Sequence, residues 1–224
     1  MSEPGTGKEP VPAPVAAVLF DLDGVLIDSL EIMRAAYAEA VDGLTEAPGF
    51  GDYQQHLGRS LPDIATRLGL PDSFPTLYRR SSDARSAQVT AYPGVDKVLR
   101  ELRNRGVALG VVTGKEGGSA REILDRLGLL TLIDVVRGGD EVAAAKPSPE
   151  HVRAALRDLP CGPIAPHEVL VVGDSDADML SAGSAGCRTA FAVWGYSDLA
   201  ALSRCPDHVL QRPSDVLNTA TCPR

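Results

Sequence analysis

The apolar run Val15-Ala16-Ala17-Val18-Leu19-Phe20, followed at once by Asp21-Leu22-Asp23-Gly24-Val25, constrains this chain more than any other feature. A short apolar run of this kind reads as a buried parallel strand. It carries two carboxylates, two residues apart, to the strand's carboxyl end. Open α/β sheets bind their ligands in the crevice at that edge. Gly24 permits an abrupt turn there. Two acids so placed suit a site that holds a divalent cation and does nucleophilic chemistry at phosphorus.

Beyond this strand the rhythm of the chain changes twice. Ser29 is expected to cap a helix that runs to Ala40 and breaks near Gly43. From there to about Tyr92 no strand pattern occurs, and short helices are expected over 61–68 and 76–89, between breakers such as Gly69-Leu70-Pro71-Asp72. After Tyr92 helices and strands alternate: helix 95–105, strand 107–113, helix 119–127, strand 133–136, helix 149–159, strand 167–172, helix 177–185 and strand 189–193. Such alternation argues for βαβ units and a parallel sheet. The expected architecture is α/β, a Rossmann-like parallel-sheet core with an inserted helical cap. Residues 15–29 and 92–224 would form the core and 30–91 the cap. Residues 1–14, with four prolines and two glycines, are expected to be a disordered tail.

Charge and composition narrow the partners. A formal charge of −8 disfavours nucleic acid, whose backbone recruits basic faces. No apolar stretch approaches the ~20 residues needed to span a bilayer, so no membrane is expected. Cys161, Cys187, Cys205 and Cys222 form no Cys-x-x-Cys pair and read as free thiols in a reducing compartment, the cytoplasm. With no heptad pattern, both monomer and homodimer stay open. An acidic protein that handles phosphate needs local positive charge, and the chain has only Lys8, Lys97, Lys115 and Lys146 among lysines.

Three further segments place polar residues where an element ends or begins. The strand before Thr113-Gly114-Lys115 offers a hydroxyl and the amides of a glycine turn, a cradle for phosphate oxygens. Lys146-Pro147-Ser148-Pro149 sets a lysine just before a helix. Gly173-Asp174-Ser175-Asp176-Ala177-Asp178 brings three acids in five residues to the end of another strand. A calcium loop is excluded at both acid runs. Counted from Asp174, Met179 falls where glycine is needed and Ala185 where glutamate is needed; counted from Asp21, those places hold Leu26 and Ile32. Asp176 is expected to cap the following helix. Lys115 reads equally as solvent-facing or functional, and none of the four histidines shows metal-ligand spacing.

The order and spacing of these segments resemble the haloacid dehalogenase superfamily, in particular its phosphatases with a small helical cap. The match covers about Val15 to Val193. Motif one is Asp21 through Ser29, motif two Thr113, motif three Lys146-Pro147, and motif four Gly173 through Asp178 with Ala185-Gly186 after it. Tyr92-Pro93-Gly94-Val95 is also typical of the return from the cap. The resemblance implies that Asp21 attacks phosphorus and forms an aspartyl phosphate. Asp23 would protonate the leaving oxygen and then take a proton from water. Thr113, the Gly114 amide and Lys146 would bind phosphoryl oxygens. Mg²⁺ would be held by Asp21, the Asp23 backbone carbonyl and Asp174, with Asp178 orienting Lys146 or metal-bound water.

Within that superfamily, dehalogenases lack the second acid of motif one, so Asp23 argues against them. Phosphonatases need a cap lysine, and no lysine lies between Lys8 and Lys97. Phosphomonoester hydrolysis of a small phosphorylated metabolite remains, with phosphomutase chemistry or a silent phosphometabolite-binding protein as alternatives. His56-Leu57-Gly58-Arg59-Ser60 falls where relatives carry a substrate-specificity loop, which makes Gly58 and Arg59 cap candidates; Arg59 would bind an anion or a hydroxyl-rich sugar, or only a surface acid. The phrases 53–59, 61–64 and 112–115 resemble a phosphoglycolate-phosphatase-like subgroup that accompanies aminohydroxybenzoate biosynthesis for ansamycin-type antibiotics. The subgroup implies an amino-sugar phosphate or an aminoshikimate-pathway phosphate, beside the sugar phosphate or phosphoglycolate that the wider resemblance implies.

Overall fold

The computed structural model describes residues 15–160 and 162–220. Strand β1 (Ala17–Phe20) is followed by the short strand β2 (Ile27–Asp28) and helices α1 (Leu30–Ala40), α2 (Phe50–Gln54), α3 (Leu61–Arg67) and α4 (Phe74–Asp83). Strand β3 (Thr90–Ala91) brings the chain back beside β2. Alternation then sets in: α5 (Val95–Asn104), β4 (Ala108–Val112), α6 (Gly117–Arg126), β5 (Val135–Arg137), α7 (Pro149–Asp158), β6 (Val169–Gly173), α8 (Asp176–Ala185) and β7 (Arg188–Ala192). Strand β8 (His208–Leu210) and helix α9 (Val216–Thr219) close the described chain.

Six strands form one parallel sheet in the order β5-β4-β1-β6-β7-β8. β1 lies between β4 and β6, with Leu19 opposite Gly110 on one side and Val171 on the other. Period-two alternation sorts its side chains between two apolar layers. Val18 and Phe20 join Leu99, Leu102 and Leu124 of α5 and α6 on one face. Ala17 and Leu19 join Val152, Ala155 and Ala182 of α7 and α8 on the other. With both faces covered, β1 is wholly buried, which is why its sequence is continuously apolar rather than alternating. From β1 the chain builds β4 and β5 to one side and then β6, β7 and β8 to the other, so a crevice opens at the carboxyl end of β1.

Helices α1 to α4 surround an apolar cluster of their own, rich in aromatic rings: Tyr37, Tyr53, Phe74 and Tyr78 with Met33 and Ile64. Tyr37 and Phe74 meet edge to face with ring centroids 5.7 Å apart, a favoured aromatic geometry.

Several elements differ from the sequence expectation. The segment read as free of strands ends in β3, whose Ala91 pairs antiparallel with Ile27 of β2. Two residues are too few to show a period. The helix expected over 76–89 begins at Phe74, where Pro75 fits the first turn, and stops at Asp83; Ser86–Gln88 form a separate 3-10 turn. The strand expected over 167–172 starts at Val169, since Pro166–Glu168 form a 3-10 turn. The five-residue α2 and the elements β8 and α9 had no counterpart in the sequence reading. The expected tail, 1–14, lies outside the described residues, as do Cys161 and Cys222; Cys187 and Cys205 are free thiols. Among the described residues no helix is long and apolar enough to cross a membrane.

Candidate active site

Three strand ends meet at the crevice. The Asp21 amide, the first beyond β1, donates to the carbonyl of Val172 on β6 at 2.8 Å, which carries the strand pairing one residue further and fixes where the carboxylate emerges. The chain then folds sharply: the amides of Leu26 and Ile27 both donate to the Leu22 carbonyl, at 2.9 and 3.0 Å. Gly24 sits in that turn at φ 84°, and a Cβ there would overlap the Asp174 carboxylate. Glycine at this position lets an acid from β6 approach the backbone after β1. On the other side Thr113, buried at the end of β4, donates its amide to the Arg137 carbonyl at 3.0 Å.

After β6, helix α8 starts with a reciprocal cap. Ser175 Oγ accepts from the Asp178 amide, and Asp178 Oδ2 accepts from the Ser175 amide at 3.1 Å and from its hydroxyl at 2.5 Å. Ser175, not Asp176, is therefore the cap. Asp176 instead accepts from the amide and hydroxyl of Ser203.

The charges are concentrated and dry. Asp21, Lys146, Asp174 and Asp178 are each 3% exposed or less. The Lys146 ammonium lies 3.0 Å from Asp21 Oδ1 and donates to Asp178 Oδ1 at 2.6 Å and to the Val112 carbonyl at 3.0 Å. Burial alone would discharge this lysine, but Asp178 and Asp21 outweigh it and hold its pKa well above the ordinary lysine value. Asp21 shows the opposite balance. Burial, aided by Asp178 and Asp23 and opposed by Lys146, pushes it up to about 7. Asp174 is likewise driven far up by burial, then by Asp21 and Asp178.

One lysine does not neutralise three buried acids, so the site calls for further positive charge. Oxygens of Asp21, Asp174 and Asp178 lie within 4.8 Å of one another. Both Asp178 oxygens are taken, by Lys146 and Ser175. Asp174 accepts one amide, from Tyr196, on Oδ2 at 2.7 Å, and Asp21 is engaged on Oδ1 alone, by Lys146 and the Leu22 amide. Hard carboxylate oxygens with free lone pairs and surplus negative charge fit a hard divalent cation.

Asp23 stands at the wall of a cavity between this site and helices α3 and α4. Its Oδ1 accepts the Ser29 hydroxyl at 2.6 Å, and its Oδ2 faces the Lys115 ammonium at 3.4 Å. Ser29 precedes α1 but makes no side-chain cap there, so the expected capping role is replaced by this bond. Lys115 is only 15% exposed at its side chain, which decides between the two readings left open by its position: it faces the site, not solvent.

The cap candidates approach from the other side. Gly58, at φ 86°, has no room for a Cβ because Ser175 Oγ lies there, and Gly114 has none because the Arg59 carbonyl lies there. Both glycines thus permit the turn 56–59 to seat on the loops after β4 and β6. Arg59 lines the cavity, but its guanidinium is bonded to Asp63 one turn along α3 at 3.0 Å. The cavity measures about 150 Å³, with Asp21, Asp23, Thr113 and Gly114 in its wall.

Tyr196 escaped the sequence reading, and Ser175, named there in motif four, had no role assigned. Tyr196 donates its amide to Asp174, accepts the Ser29 amide on its hydroxyl at 2.6 Å, and accepts Gln54 of α2 on its carbonyl at 2.9 Å. Ser175 holds Asp178, as described. Tyr196 follows Trp194-Gly195 just past β7, at the same sheet edge as the acids, and that placement was the available signal.

Comparison with known proteins agrees with this geometry. A family model described as haloacid dehalogenase-like hydrolase matches residues 18–192. A phosphoglycolate phosphatase from Aquifex aeolicus is 33% identical over 205 residues, covering 89% of this chain and 94% of that protein. Pyrophosphatase PpaX from Bacillus velezensis is 34% identical over 211 residues, covering 91% and 95%. A hydrolase structure from Pseudomonas syringae superposes with a TM-score of 0.78 at 26% identity, covering 91% of this chain and 96% of that one.

Proposed function

The chain belongs to the haloacid dehalogenase-like hydrolases, among their phosphatases, and from that premise we propose that it hydrolyses the phosphomonoester of a small metabolite through an aspartyl phosphate on Asp21. The observation that carries this reading is the pairing of Asp21 with Lys146 at 3.0 Å inside a surplus of buried acid, while Asp23 stands two residues on at the cavity wall.

Asp21 is the nucleophile: a carboxylate oxygen forms a bond to phosphorus as the bond from phosphorus to the leaving oxygen breaks. Asp23 gives its proton to that oxygen. It then takes a proton from the water that attacks the phosphoryl group, which returns Asp21 as a carboxylate and frees inorganic phosphate. Lys146, Thr113 and the Gly114 amide hold the phosphoryl oxygens, and Asp178 positions Lys146. Asp21, Asp174 and the Asp23 carbonyl would hold Mg²⁺. When bound, the ion neutralises phosphoryl charge and the acids around it. Residues 30–91 act as a cap that excludes water over the cavity.

Phosphoglycolate, a sugar phosphate and an amino-sugar phosphate are the substrate candidates. The names of two relatives favour phosphoglycolate and add pyrophosphate.

Phosphate release from these compounds and from generic nucleotides, measured with Mg²⁺ and with EDTA, tests the proposal. Release that needs the metal and is lost in Asp21→Asn supports it. A folded protein that releases phosphate from none of them overturns it in favour of a mutase that needs a bisphosphate activator, or of a binding protein.

A further inference from the structure

We propose that Lys115 is a specificity-determining residue: its ammonium receives an anion on the departing part of the substrate, one or two bonds from the oxygen that leaves. This rests on the hydrolytic reading of the site given above.

Three cationic side chains line the cavity: Arg59, Arg79 and Lys115. Two have acids of their own. Arg59 is hydrogen-bonded to Asp63 at 3.0 Å. Arg79 lies 2.8 Å from Glu116, in ion-pair range though off the line of a hydrogen bond. Lys115 has no such dedicated partner among the described residues. It faces Asp23 at 3.4 Å, and Asp23 is tied on its other oxygen to Ser29. The one cation not committed to a separate acid therefore stands beside the residue that serves the leaving oxygen.

The lysine is also held in place. Its amide donates to Thr113 Oγ1 at 3.2 Å, and its carbonyl accepts the Gly139 amide at 2.9 Å. The preceding Gly114 is covered by the Arg59 carbonyl, so the backbone of this loop has little freedom to move. A substrate anion would meet a charge carried on a fixed backbone, its side chain only 15% exposed.

Size and charge pattern select the ligand further. At about 150 Å³ the cavity holds the equivalent of about five waters and falls below the ~300 Å³ at which drug-sized ligand pockets begin. A leaving group of a few heavy atoms fills this space, and a longer one would extend through its open side. Of the acids that line the same cavity, Glu116 is offset by Arg79, while Asp83 and Asp140 add negative charge to the wall, so Lys115 is the charge available to a second anion. A short hydroxy-carboxylate or a second phosphoryl group meets both conditions. A lysine reads either as a point charge and does not distinguish them by geometry.

The test compares kcat/KM for phosphoglycolate, pyrophosphate and the neutral 2-hydroxyethyl phosphate in the wild type, Lys115→Met and Lys115→Arg. The wild type is expected to favour one of the two anionic compounds over the neutral ester by tenfold or more. In Lys115→Met that ratio falls about ten- to a hundredfold, mainly through KM, and Lys115→Arg keeps part of it. Preference for phosphoglycolate assigns the anion as a carboxylate, and preference for pyrophosphate assigns it as a phosphoryl group. Wild-type hydrolysis without an anionic preference, or a ratio unchanged in Lys115→Met, overturns this inference while leaving hydrolysis intact. If Lys115→Met fails to fold, Lys115→Gln decides: the full wild-type ratio in that variant overturns the assignment. No release from any of the three by the wild type, nor from the wider panel above, overturns the proposed function and this inference with it.

Discussion

Ser29 Oγ donates to Asp23 Oδ1 at 2.6 Å, and the same residue's amide donates to the Tyr196 hydroxyl at 2.6 Å. A serine at the threshold of α1 thus fixes the acid at the cavity wall while its backbone is tied to the residue that holds Asp174. Ser29→Ala is expected to lower turnover by about tenfold, the worth of one hydrogen bond to a charged group. The melting temperature should move by only a few degrees, because α1 does not use this side chain as a cap. Steady-state kinetics beside a thermal melt separate the two effects. A large loss of stability with normal kcat would contradict the assignment.

The acid at the centre predicts a pH-dependent response to metal. Burial, with Asp178 and Asp23 adding and Lys146 opposing, moves Asp21 from 3.8 to about 7 in the folded protein. The folded state then binds the proton more tightly than the unfolded chain, so this group lowers stability as pH rises from about 4 to about 7 in the metal-free protein. Below both values it costs nothing, and above both the cost is complete. Lys146 does not change charge in that range. A divalent cation held by the carboxylate would offset the cost. Calorimetry in EDTA and in Mg²⁺ should show a larger metal-induced rise in melting temperature at about pH 8 than at about pH 5. Equal rises would place the metal elsewhere.

Lys146 is the only cation within hydrogen-bond reach of Asp21 and Asp178 among the described residues. Lys146→Met leaves two buried carboxylates without it, and a loss of about 3–5 kcal/mol is expected from urea unfolding at neutral pH. Phosphate release should disappear as well. A variant as stable as the wild type would mean that the acids take up protons at little cost.

Two glycines with nearly the same backbone angle separate conformational strain from close approach. Gly43 (φ 80°) has nothing within 4 Å of an added Cβ, whereas Gly58 (φ 86°) has Ser175 in the way. Gly43→Ala should cost about 1 kcal/mol, the left-handed penalty alone, and leave turnover as it is. Gly58→Ala should cost more and also raise KM, since the turn 56–59 can no longer seat. Chemical unfolding and kinetics on the two variants check this; identical behaviour would show that the contact at Ser175 is unimportant.

Most parts of this site that can be read from sequence are attached to an apolar run, while Lys146 is legible from the Lys-Pro pair before α7. Asp21, Thr113 and Asp174 each follow a buried strand, and the end of such a strand marks an edge of the sheet whatever the rest of the chain does. Ser29 was legible as a residue but not in its role, because capping preference is local while its bond to Asp23 depends on the fold of the turn at Gly24. Tyr196 was missed because its part is played by backbone and hydroxyl together, and neither leaves a pattern in side-chain chemistry. Asp176 was given the cap that Ser175 makes, an error of one residue of the kind that cap preferences alone do not resolve. The direction of Lys115 depends on the loop through Gly114 and Gly139, which no periodicity describes.

The pairing of Ile27 with Ala91 has a consequence for how the molecule is modular. The helical segment leaves and re-enters the sheet domain through two hydrogen-bonded neighbours, so the core meets a hairpin-like junction, whatever lies beyond it. Closing such a junction depends only weakly on the length of chain it spans. The segment between these residues is therefore exchangeable in principle: a foreign insert with adjacent ends could be grafted at the same two strands, changing what reaches Asp23 while the register of β1 against β4 and β6 stays as it is.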